Sequence, residues 1–182
     1  MDPVSAMQQT HATVAAMFEQ LTPEHREMQT PCKKWVAHDL VGHMAGGALM
    51  FASVIAGEQP GEAGDPIADG PVAGWAAASA ALAAAATPEN LEAMRQAPFG
   101  EMPGAVLLSV MSADHLVHAW DLSKATGIDH GISDELAEFA MGCWQMALPE
   151  AARDGDAFDQ IQPCADDAPA MDKVAAFTGR PV

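Results

Sequence analysis

Apolar residues recur at spacings of three and four along almost the whole chain, and no run of alternating Val, Ile, Thr or aromatic residues interrupts the pattern. That period matches the turn of an α-helix, so the chain is expected to bury its apolar surface as packed helices, an all-α fold, and not as a sheet. The spacing predicts a first helix over about Pro3–Leu21, a second over Val36–Gly57, a third in the Ala-rich stretch ended by Pro88, and a long one over Ala105–Thr126. Ser133, followed by Asp134 and Glu135, offers a hydroxyl cap and first-turn acids for a fifth. A short last helix is expected over about Pro169–Thr178, with Gly179 after it. Gly57 and Gly127 fall where a left-handed residue closes a helix. The segment "PENLEAMRQAPFGEMPG" reads as a connection from the third helix to the long one. At 182 residues with no internal repeat, one domain over 1–182 is the expected organisation.

Charge narrows the function classes. Acidic side chains number 25 against 8 basic ones, a formal net charge of -17, which would repel a phosphate backbone; nucleic acid is not an expected partner. No apolar run is expected to reach the roughly 18 to 20 residues of a membrane span, so no membrane partner is expected either. The start "MDPVSAMQQTHATVAAMF" has no basic stretch ahead of an uninterrupted apolar one, and a cytoplasmic location is the expectation. Cys32, Cys143 and Cys164 are odd in number and widely spaced, which suggests reduced thiols and neither a disulfide framework nor a zinc knot.

The long fourth helix carries the chemistry. Leu107, Met111, Asp114, His118, Leu122 and Ala125 form one stripe, so a carboxylate and an imidazole project together from an apolar ridge. Side chains four apart on a helix have Cβ atoms about 5 to 6 Å apart and can converge on one ion. His43 lies on the ridge of the second helix and offers a third donor, the way helical bundles assemble metal sites from facing helices. Two imidazoles and a carboxylate suit zinc, or iron(II), and leave coordination positions open. The same stripe also fits hydrogen-bonded core histidines with Asp114 paired to a neighbouring Lys or His. His115 is three residues before His118 and could compete with Asp114 as ligand, but its ridge through Ser112 and Ala119 places it at the edge of the apolar face; His11 is expected in a core or supporting role. Asp121, almost two turns after Asp114, is placed to orient a ligand, to accept a proton or to meet substrate; the alternative is a polar residue closing the wet end of the helix. Trp35, Trp120 and Cys32 read as packing residues.

The stretches "TPCKKWVAHDLVGHMAGG", "ADHLVHAWDLSKATG" and "DDAPAMDKVAAFTGR" resemble actinobacterial members of the DinB-like metalloprotein superfamily, close to the metal-binding N-terminal domain of mycothiol-dependent maleylpyruvate isomerase. The resemblance implies a DinB-like four-helix bundle, here with additional short C-terminal helices. In it the histidine of "LVGH" and an acid-x-x-x-His pair, here His43, Asp114 and His118, bind a divalent metal: zinc foremost, with iron(II), nickel(II) or manganese(II) as alternatives. It also implies a low-molecular-weight thiol as cosubstrate, and a thiol-dependent transferase or isomerase acting on a small electrophile. A non-catalytic metal-binding or stress-related bundle, present as a homodimer, is the alternative. Three departures stand out: the acid is Asp where the isomerase has Glu, the residue before the second helix is Val36 where the pattern carries Thr, and the roughly 50 residues after Ile132 are few for the isomerase's extra C-terminal domain.

Overall fold

The computed structural model describes residues 1–61, 64–97, 100–150, 153, 155 and 157–182. Among the described residues, seven α-helices and two short strands follow one another as α1 (Pro3–Phe18), α2 (Ala37–Ala56), α3 (Pro71–Ala85), α4 (Pro88–Glu92), β1 (Met94–Ala97), β2 (Gly100–Pro103), α5 (Gly104–Thr126), α6 (Asp134–Ala147) and α7 (Ala170–Phe177). The chain is mostly helical, an all-α DinB-like fold. Helix ends are set by local chemistry. Asp2 Oδ1 accepts from the Val4 and Ser5 amides at 3.1 and 3.0 Å, Ser133 Oγ accepts from the Leu136 amide, and Gly57 and Gly127 close α2 and α5 at φ 80° and 75°.

Helices α1, α2, α3 and α5 surround one apolar core that includes Phe18, Leu40, Met44, Ile55, Trp75, Leu82 and Leu107. A second cluster joins Leu116, Val117 and Trp120 of α5 to Leu136 and Trp144 of α6 and Val174 of α7. Helix α5 therefore belongs to both cores and is buried on nearly every side, including an unbroken run from His115 to Leu122. Its sequence shows one stripe because the second apolar face, against α6 and α7, fills the gap between stripes. Truncating a core leucine such as Leu107 to Ala would cost about 2 to 5 kcal/mol.

Two expectations need correction. First, the connection before α5 contains an antiparallel pair, with Met94 opposite Pro103 and Ala97 opposite Gly100. Only Ala97 of β1 is buried, so apolar alternation is not visible in the sequence. Second, α2 is long and apolar enough, by length and composition, to cross a membrane. In the fold it is a core helix: Leu40, Met44, Ala48 and Ile55 are fully buried within the bundle. Small residues thin the helix, and Gly42 and Gly46 sit under the side chains of Ile67 and Pro66.

Helix α7 is fastened to α5 from two directions. Asp172 Oδ1 accepts from Trp120 Nε1 at 2.6 Å and lies 3.5 Å from Lys124 Nζ. Beyond its last turn, the Gly179 amide donates to Ala176 O and the Arg180 amide to Ala175 O, the paired bonds of a Schellman ending, with Gly179 at φ 94°. A Cβ at Gly179 would collide with the backbone of Asp159, so glycine is required here both for its conformation and for its width.

Candidate metal centre

Donor-bearing side chains converge where α2 and α5 face each other. His43 comes from α2, and Asp114 and His118 from successive turns of α5. His118 Nε2 lies 3.6 Å from Asp114 Oδ1, and His43 Nε2 lies 3.8 Å from Asp114 Oδ2. One ligand atom from each of the three falls within 4.8 Å of the others. Atoms held about 2.1 Å from a tetrahedral ion are about 3.4 Å apart, so these separations fit a shared cation after small side-chain adjustments. The side chains of His43 and Asp114 are 38% and 22% exposed while that of His118 is 6% exposed, which leaves one side of the cluster open to a small molecule.

His118 is held through Nδ1. Its Nδ1 lies 3.1 Å from Asp121 Oδ2, so Nε2 is left facing Asp114 and His43. Asp121 is fully buried and has no route to solvent; its oxygens also receive Arg180, from Nε at 3.3 Å and from Nη2 at 3.1 Å. Cys32 Sγ donates to Asp121 Oδ2 at 3.1 Å and lies 3.6 Å from Arg180 Nη2. Cys32, His118 and Asp121 form a second group of metal-ligating types. The Arg180 guanidinium already supplies the positive charge there.

The electrostatics follow from this packing. Burial opposes the charge on His118, but Asp114, Asp121 and Cys32 outweigh it and raise the imidazole to about 10 in the absence of a metal. Burial likewise opposes the charge on Asp114, yet His118 and His43 hold its carboxyl well below the usual range. Asp121 is also lowered, with burial overcome by His118 and Arg180.

Trp35 walls the open side, its ring 4.3 Å from that of His43 and 5.8 Å from that of His118. A tight turn delivers Cys32 and Trp35 together: the Trp35 amide donates to Cys32 O at 2.8 Å, and Thr30 Oγ1 donates to Trp35 O at 2.7 Å. Where a Thr cap is missing before α2, the Asp39 carboxylate accepts from the Val36 amide at 3.2 Å, and the Ala37 and His38 amides of the first turn donate to Met28 O and Arg26 O.

His115 is not at the edge of the apolar face. It is 0% exposed, its Nε2 donates to Met44 O at 3.2 Å and not to the donor cluster, and its ring packs against Trp75 and His11. Burial lowers it to about 3 and lowers His11 to about 4, so both rings are neutral. Cys32 and Trp35, read from the sequence as packing residues, lie at the site, and Arg180 was missed altogether. It follows the expected helix stop at Gly179, but no spacing rule connects it to Asp121, 59 positions earlier.

A helical bundle with a His, Asp and His cluster between two of its helices is the class these observations define. The chain belongs to the mycothiol maleylpyruvate isomerase N-terminal domain family, whose model matches residues 7–123. Two relatives from Mycobacterium tuberculosis, the uncharacterized proteins MT0763 of strain CDC 1551 / Oshkosh and Rv0738 of strain ATCC 25618 / H37Rv, are each 35% identical to it, over 100% of both chains. No solved structure matches the chain.

Proposed function

We propose that the protein is a divalent-metal-binding bundle that uses a low-molecular-weight thiol, mycothiol being the one named by its family, to act on a small electrophile as a transferase or isomerase. The observation that carries this reading is the clamped state of His118: Asp121 fixes Nδ1, which leaves Nε2 beside Asp114 and His43. Carboxylate support of a metal-ligating histidine fixes the ring and raises its basicity.

His43, Asp114 and His118 would hold the ion, with zinc as the expected metal given two imidazoles and one carboxylate. When bound there, a divalent cation favours the deprotonated form of a sulfur or water ligand, which supplies a nucleophile at neutral pH. Asp121 accepts from His118 Nδ1 and keeps the ring from turning; being fully buried, it serves as a positioning residue. Arg180 keeps Asp121 ionised. Trp35 narrows the open side so that a bound small molecule is flanked by an apolar ring.

The test is metal analysis of protein purified without an affinity tag, followed by titration of the zinc-loaded protein with mycothiol and a panel of electrophiles. About one zinc per chain, saturable thiol binding and chelator-sensitive conjugation are expected. Metal without thiol binding would leave a non-catalytic metal-binding bundle as the better account.

A further inference from the structure

A cavity of about 360 Å³ lies between the chain after α1, the start of α2 and the segment before α3. It is separate from the donor cluster, since Val41 of α2 lines it and His43 points about 200° away around the same helix. Its volume falls in the usual range of small-molecule pockets, about 300 to 1,000 Å³.

Both walls are built before any ligand arrives. On one side the Ala37 and His38 amides donate to Met28 O at 2.8 Å and Arg26 O at 3.0 Å, pinning the chain after α1 to the start of α2. On the other side Pro66 and Ile67 are seated over glycines: Ile67 Cδ1 would be 3.7 Å from a Cβ at Gly42, and a Cβ at Gly74 would collide with the Pro66 carbonyl oxygen. The floor is apolar, with Leu21, Val41 and Ile67.

Its polar groups share one sign. His25 Nδ1 accepts from the Thr22 amide at 3.1 Å, so in the neutral ring Nε2 carries the proton and donates. His38 Nε2 lies 2.9 Å from Arg26 Nη2; a guanidinium cannot accept, so His38 accepts there and carries its own proton on Nδ1. Among the described residues, the other side-chain contact of Arg26 is an exposed one with Glu27 at 3.5 Å, a pairing that water screens. No carboxylate is among the described residues lining the cavity, although acids outnumber bases 25 to 8 in the chain.

We propose that this cavity binds a small organic carboxylate with an apolar body, its hydrocarbon on Val41 and Ile67 and its carboxylate received by Arg26, His25 and His38. An Arg with one imidazole beside it, and a second imidazole lining the same cavity, matches a planar carboxylate, while the apolar floor disfavours an anion with no hydrocarbon part. The proposal does not depend on the metal centre.

The test uses the protein as purified, with and without added zinc, and follows its backbone amide signals by NMR. Benzoate and hexanoate are the probes, with benzyl alcohol and inorganic phosphate as controls. Saturable shifts are expected at Ala37, Val41 and Ala68 with the two carboxylates. Binding at least tenfold weaker is expected for both controls and for the Arg26→Gln/His38→Gln double variant. Ala68 is exposed, so Ala68→Trp should fold normally while obstructing the mouth, and should abolish the shifts. No saturable shift, equal binding of benzyl alcohol or phosphate, full binding by both variants, or shifts confined to His43 and His118 would each overturn the proposal.

Discussion

Arg180 Nη2 lies 3.1 Å from Asp121 Oδ2, the same oxygen that lies 3.1 Å from His118 Nδ1. A side chain outside the family-matched span of 7–123 thus completes the support of an imidazole inside it. Arg180→Gln should leave Asp121 buried without its full countercharge, a loss of about 3 to 5 kcal/mol when one partner of a buried pair is removed. Thermal denaturation of the chelated protein measures this. Zinc affinity should fall by about 10- to 100-fold, the usual effect of disturbing a ligand's support. Arg180→Lys, which keeps the charge, should recover part of both losses; full zinc affinity in Arg180→Gln would show that the pair is structural only.

Removing a direct donor should have a larger effect. His43→Ala and His118→Ala are expected to abolish the one equivalent of zinc retained through gel filtration, as read by atomic emission. His115→Ala should retain zinc yet lose stability, because the His115 ring packs against Trp75 and its Nε2 is committed to Met44 O instead of the donor cluster. Zinc loss from His115→Ala with zinc retention in Asp114→Ala would reassign the carboxylate's place in the site.

Metal uptake should release a proton. His118 is raised to about 10 without metal, so at neutral pH Nε2 carries a hydrogen that an ion must displace. The apparent zinc affinity should therefore rise by about tenfold per pH unit between pH 6 and 8 from this residue alone. Calorimetry in buffers of different ionisation enthalpy counts the protons, and a count near zero would contradict the clamped, protonated ring.

The buried histidine pair between α1 and α5 should show the reverse sensitivity, in stability. His11 and His115 are depressed to about 4 and about 3, against 6.5 when unfolded. Above pH 6.5 both states are neutral and nothing is lost. As pH falls from 6.5 towards 4 and 3 the unfolded chain binds protons that the folded chain refuses, so stability declines by up to about 1.4 kcal/mol per pH unit for each histidine. Urea unfolding of the metal-free protein at pH 7 and pH 5 should separate, and His115→Gln should reduce the difference.

Much of the helical layout was legible because it is local: caps at Ser133, stops at Gly57 and Gly127, and an i, i+4 pair in Asp114 and His118 need only neighbouring residues. The approach of His43 to that pair needed only the assumption that two apolar ridges pack. The burial of His115 was hidden because α5 has two cores, and a polar residue between two apolar faces looks like a boundary. Arg180 was hidden for another reason: its position depends on the left-handed Gly179 passing close to Asp159, a relationship between segments that no periodicity encodes.

If the cluster holds zinc, the Schellman ending of α7 would make the ion and helix α7 partners in one equilibrium. If docking of α7 and Arg180 improves the hold on zinc, then by reciprocity zinc must strengthen the docking of α7 by the same factor. Amide hydrogens of Val174 to Phe177 should then exchange more slowly when zinc is bound, although none of these residues belongs to the donor cluster. The segment would act as a built-in reporter of occupancy, and a protease that cuts frayed ends would distinguish loaded from empty protein.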